Sequence, residues 1–190
     1  MNTTTMFKLL YGLVFVLVIA ACAPKKEDSG EIAEEQNDEK FEDKDLEKDA
    51  DFVVNTVESN YAEIKLAQLA KEKATNTKVK DMANMIAKDH TRILNELKAY
   101  ANKHGISVPL EESNDAEKDY SNLAEKNGGD FDDKWVDALE DKHEKSINNF
   151  ETRLDKTEDP ELKEWITATL PGLRTHLEML KEHDHNDGAR

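Results

Sequence analysis

The chain is poor in the residues that staple, break or bend a fold. A single cysteine in 190 residues, Cys22, excludes an internal disulfide, so packing must hold the fold together. Beyond Asp51, glycine and proline almost never fall inside the long periodic segments, and no stretch shows the alternating pattern of a strand. Positive charge is scarce, with 26 Lys and Arg against 42 Asp and Glu. No basic patch interleaved with aromatics offsets that imbalance, and nucleic acid is excluded as a partner. Hydrolytic motifs are missing as well: there is no Gly-x-Ser-x-Gly, no reactive cysteine and no zinc-protease helix.

A long apolar run occurs at the N-terminus. Lys8 precedes 13 apolar residues, Leu9 to Ala21, which is short for a bilayer span and suits a signal-peptide core. The run ends in Ile19-Ala20-Ala21-Cys22, which resembles a bacterial lipobox, with Cys22 as the lipidated residue. Residues 1–21 are expected to be removed, taking Lys8 with them and leaving 25 basic against 42 acidic residues, a net of −17. So acidic a chain is kept off an anionic membrane surface, and the lipid would be its membrane anchor. Ala23 rather than Asp after the cysteine matches the outer-membrane choice of the enterobacterial sorting rule. Lys25-Lys26-Glu27-Asp28 resembles the charged surface-export signals of some lineages. The expected address is the bacterial envelope: an outer-membrane lipoprotein facing the periplasm or exported to the surface.

Residues 23–50 hold 12 acidic residues and 5 lysines, with Ile32, Phe41 and Leu46 as their large apolar groups. This is too little to offset the ordering entropy, so residues 22–50 are expected to be a lipidated cysteine followed by a disordered acidic tether. Residues 51–183 are expected to form an all-α, antiparallel four-helix bundle, with 184–190 as a polar tail.

The first helix of that bundle is read over about Phe52 to Ala74 behind Asp49 or Asp51, with Val53, Val57, Ile64 and Ala67 inward. The second starts near Asn76 or Thr77, carries Val79, Ala83, Ile86, His90, Ile93, Leu97 and Tyr100, and ends at Gly105. The third follows Gly128-Gly129 with Asp130 as cap and the stripe Trp135, Leu139, His143, Ile147, Phe150, Leu154. The fourth opens on Asp159-Pro160, continues to His176 or Leu177 and Leu180, and is expected to kink at Pro171. Tight turns join the first two helices and the last two. A long crossover, Gly105 to Gly129, links the pairs and contains a short helix, about Asp115 to Lys126, capped by Asn114.

Histidines interrupt two of these stripes, and one layer gathers them. Counted from the first turn, Glu63 and His90 fall at one height, ~20 Å away; counted from the second, His143 and His176 do so, ~25 Å away. In a bundle about 40–45 Å long these layers meet near the middle. Three imidazoles and a carboxylate suit one Zn, Cu or Fe ion, with Asp89, Glu140, Glu144 and Glu178 as candidates to orient the ligands. Helical phase leaves Glu63 at the edge of its apolar face, with Glu58 as the substitute. The alternative is a buried polar layer that sets helix register, on a non-enzymatic module whose acidic surface meets a partner protein. A di-iron oxidase would need Glu-x-x-His on two helices, and only Glu140-x-x-His143 supplies it.

Ala62-Glu63-Ile64, Leu66-Ala67, Val79-Lys80, Met85, Asp89-His90, the segment Phe131 to His143, and Leu170-Pro171-Gly172-Leu173-Arg174-Thr175-His176 together resemble the ferritin-like domain of unknown function 4142, a family of bacterial envelope proteins. The resemblance covers about Asp51 to Glu182. It implies a ferritin-like four-helix bundle with one crossover and carries over to Glu63, His90, His143 and His176; it implies no established activity.

Overall fold

The computed structural model describes residues 28–187, which are helical with short connections. The expected signal peptide and Cys22 lie outside the described residues, and no helix among those described is long and apolar enough to cross a membrane. Six helices follow in order: α1 (Ser29–Asp38), α2 (Lys44–Lys73), α3 (Thr77–His104), α4 (Asn114–Ala124), α5 (Gly128–Lys156) and α6 (Pro160–Asp187).

Local chemistry sets the ends. The Asp43 carboxylate accepts the Asp45 and Leu46 amides at 2.8 and 3.4 Å, starting α2 two turns before the expected Asp49 or Asp51. Asn76 caps α3 through the Lys78 amide at 2.9 Å, and Gly105 closes it at φ 70°, a conformation that glycine adopts without strain. Ser113, rather than Asn114, caps α4. α5 starts at Gly128, two residues before the expected Asp130, and Gly128 takes a positive φ of 62°, which glycine tolerates. Asp159 caps α6 through the Glu161 and Leu162 amides. Pro171 does not break that helix: it sits on the exposed side, where water can reach the Thr167 carbonyl that its ring deprives of a donor.

α2, α3, α5 and α6 form the bundle. Asp49 at the start of α2 meets Arg153 and Thr157 at the end of α5, while Thr75 beyond the end of α2 meets Asp132 at the start of α5. These helices are therefore antiparallel neighbours. Tyr100 and His104 at the end of α3 meet Asp159 and Glu161 at the start of α6, so that pair is antiparallel too. It follows that α3 and α5 run the same way, and the crossover returns the chain along the molecule, as in ferritin-like bundles.

Two apolar clusters fill the interior. One contains Val53, Val57, Ile93, Leu97, Tyr100, Phe150, Leu162, Ile166 and Leu173; the other contains Leu66, Val79, Ile86, Phe131, Trp135, Leu139 and Leu180. In each of the four bundle helices, buried polar residues lie between the two clusters: Asn60 and Glu63, His90, His143, His176. The core is thus cut in half by one layer.

The expected tether needs correction. From residue 28 onward it is helical and docked, with α1 lying against α2 and the start of the crossover. Asn37 is fully buried; its amide donates to the Ser107 carbonyl at 2.9 Å, and its oxygen accepts the Ser107 amide at 2.7 Å. At the other end, His183 is buried with Nε2 3.0 Å from Asn76 Nδ2, and α6 continues to Asp187, into the stretch expected as a polar tail.

Candidate metal centre

The layer gathers all four residues placed there from the sequence. Glu63 is 1% exposed, His90 and His176 2%, and His143 is fully buried. Glu58, the substitute, points away toward α1, where a Cβ on Gly30 would meet its carboxylate.

The outer nitrogen of each imidazole is anchored. Asn60 donates through Nδ2 to the Thr56 carbonyl at 2.7 Å, which turns its oxygen toward His90 Nδ1 at 3.0 Å. His143 Nδ1 lies 2.8 Å from the Leu139 carbonyl, one helical turn back. His176 Nε2 lies 3.2 Å from Asp89 Oδ2. All three partners are acceptors, so these nitrogens carry the protons and the remaining three, His90 Nε2, His143 Nε2 and His176 Nδ1, present lone pairs.

Those lone pairs converge. His143 Nε2 is 3.3 Å from His90 Nε2 and 3.2 Å from His176 Nδ1. All three ligand atoms lie within 4.8 Å of one another. An ion bound at about 2.0–2.1 Å to tetrahedral nitrogen ligands spaces them by about 3.3 Å, so the histidine set fits a transition metal. Glu63 lies beside the three-histidine set: Oε1 accepts from the Ser59 hydroxyl at 2.9 Å, and Oε2 lies 3.5 Å from His90 Nε2 and 3.4 Å from the outer His143 Nδ1 with no hydrogen-bond partner of its own.

Burial pushes His90 down to about 4, with the neighbouring His143 and His176 acting in the same direction against the pull of Glu63. Burial also lowers His176, with His143 adding to it and Asp89 opposing. For Glu63, burial acts to raise the carboxyl pKa, but His90, His143 and the Ser59 hydroxyl outweigh it and hold the group below its usual range.

Of the four acids expected to orient the ligands, Asp89 does so. Glu144 pairs instead with Lys181 at 2.5 Å, Glu140 lies 4.0 Å from the same ammonium, and Glu178 is exposed; each lies on the outer side of its helix. Asn60 and Ser59 were missed. The signal was available in the heptad spacing: stepping back from Glu63 by three and four gives Asn60, Thr56 and Val53, all buried. Of the positions read inward, Val53, Val57 and Ala67 are fully buried and Ile64 only partly; the buried face also includes the polar Thr56 and Asn60, which the apolar stripe passed over.

A protein-family model described as a domain of unknown function, DUF4142, matches residues 33–182. The chain belongs to the DUF4142 family. The matched region begins inside α1, consistent with the helical, docked state of that segment. Among solved structures, this DUF4142 protein is similar to one titled "CopM in the Cu(II)-bound form", at 19% identity and TM-score 0.63, covering 73% of this chain and 96% of that one. It is also similar to a DUF305 fragment from Deinococcus radiodurans, at 13% identity and TM-score 0.65, covering 72% and 95%. Identities this low show a shared helical-bundle fold. No curated protein matches the DUF4142 chain in sequence.

Proposed function

We propose that this DUF4142 protein binds one transition-metal ion, copper foremost, through His90, His143 and His176 with Glu63 beside them, and serves in metal storage, buffering or protection from metal stress. The supporting observation is the convergence of three unprotonated imidazole nitrogens, each fixed by an acceptor on its far side, next to a buried carboxylate oxygen without a hydrogen-bond partner. A nitrogen-rich site of this kind favours Cu(II) over Zn(II) and Fe(II) in the usual affinity order, and a structural neighbour carries Cu(II) in its title. When bound, the ion would neutralise the Glu63 charge, while Asn60, Leu139 and Asp89 hold the rings in the ligating tautomers.

The address proposed for this activity is the outer membrane of a bacterial envelope, facing the periplasm or the surface and anchored by a lipid on Cys22, as the N-terminal sequence suggests. Mass spectrometry of the membrane fraction tests it: a diacylglyceryl adduct on Cys22 is expected, and an unmodified cysteine in the mature protein contradicts it.

A second reading, a structural polar layer, has one observation in its favour: the 3.2 and 3.3 Å nitrogen separations are also hydrogen-bond lengths, so a shared proton could satisfy the cluster. Elemental analysis of the purified protein, followed by competition titration with Cu(II) and Zn(II), separates the two. The metal reading expects one ion per chain, lost in His143→Ala; a chain that takes up no ion at any ratio supports the structural layer.

A further inference from the structure

Between α2 and α5 the bundle surface opens into a groove of about 560 Å³, a volume typical of small-molecule sites. In a chain of net charge −16 its lining is unexpectedly basic: Lys48, Lys142, Lys145 and Lys156 face a single surface carboxylate, Asp51. Phe52 and Phe150, packed edge to face at 5.0 Å, give it an apolar floor.

Arg153 also lines the groove and is more than nine-tenths buried. Its Nε lies 2.8 Å from Asp49 Oδ1, close in charge but off the hydrogen-bond line, and its Nη2 has no hydrogen-bond partner. A buried guanidinium donor left unpaired is costly, and Arg153 brings such a donor to the wall of the groove. Guanidinium recognises carboxylate or phosphate oxygens through directed N–H donors, whereas the lysines add charge along the path.

We propose that this groove binds a small organic polyanion, a di- or tricarboxylate, with one carboxylate drawn to the Arg153 guanidinium and the others along the lysines. The aromatic floor favours a carbon skeleton over a bare oxyanion, and the spread of the lysines favours more than one negative group. The site adjoins the histidine layer through Ser59, which lines the groove and donates to Glu63, but the two share no ligand.

Calorimetric titration of the full-length protein with tricarballylate, succinate and inorganic phosphate tests this. One saturable site for tricarballylate is expected, weakened at least about tenfold in the surface variant K145Q/K156Q and in Arg153→Lys, and retained in H90A/H143A/H176A, whatever the fate of metal binding. The absence of saturable binding overturns the proposal, as does binding indifferent to K145Q/K156Q. Phosphate binding as tightly with the same dependence overturns the polycarboxylate assignment, and loss in the triple-histidine variant overturns a site separate from the metal centre.

Discussion

At the scale of the residue, the side chains behind the histidines matter as much as the histidines. Asn60 fixes the His90 tautomer because its own amide is committed to Thr56, and Asp89 fixes His176. Asn60→Ala and Asp89→Ala are each expected to weaken metal affinity by roughly 10–100-fold with the fold retained, measured by competition against a chromophoric chelator. Asp89 was named beside His90 from the sequence, whereas Asn60 was passed over. His90 and His143 stood out as polar interruptions of apolar stripes, and His176 joined them by its height from the second turn, whereas Asn60 lay on a stripe whose polar members disguised it.

Glu58 illustrates how a residue set aside as a ligand still carries a measurable charge effect. Burial, then Asp28, Glu34 and Glu31 on and beside α1, push its carboxyl up to about 7. Native protein therefore holds a proton on Glu58 that the unfolded chain releases above its ordinary 4.5. Stability from this group is full below about 4.5 and declines as pH rises through 7, since the native state binds more protons across that window. In Glu58→Gln the decline is absent. Urea midpoints at pH 5, 6, 7 and 8 should diverge from wild type progressively, with the variant more stable at the upper end.

At the scale of the element, α1 was the segment the sequence concealed. Its composition promised disorder because large apolar groups are few, and the structure agrees that Ile32, its one large apolar residue, contributes little, being 38% exposed. Docking is achieved instead by small residues, Gly30 and Ala33, and by Asn37, which pairs with both backbone groups of Ser107. Hydropathy does not register such contacts. Asn37→Ala should destabilise α1 docking by about 1–3 kcal/mol, the cost of leaving buried backbone groups unpaired. Limited proteolysis should then cut near Lys40 before the bundle, while wild type is cleaved there no faster than elsewhere.

The bundle helices were easier to read, for a physical reason. Strong start and stop signals, Asn76, Gly105 and the Asp159-Pro160 pair, coincide with uninterrupted periodicity, so local and tertiary preferences agree. Boundaries drifted where a cap lay in acidic sequence, as with Asp43, since any of several aspartates there offers the same oxygen.

At the scale of the whole molecule, two apolar half-cores share one polar layer, and turn-counting located that layer because antiparallel helices convert sequence distance from a turn into height. The crossover direction came from end-to-end contacts that no pattern in the sequence specifies, Asp49 with Arg153 and Tyr100 with Asp159. A layer binding all four helices at mid-height makes a bound ion a cross-brace for the entire bundle. The decisive measurement is thermal unfolding of the metal-free protein, alone and with Cu(II), Zn(II) or Fe(II), beside H90A/H143A/H176A. Saturating Cu(II) at about a hundred times its dissociation constant should raise the wild-type melting point by roughly 5–10 °C and leave the variant unmoved. A wild-type melting point unchanged by every metal, or a rise shared equally by the variant, would contradict the metal centre.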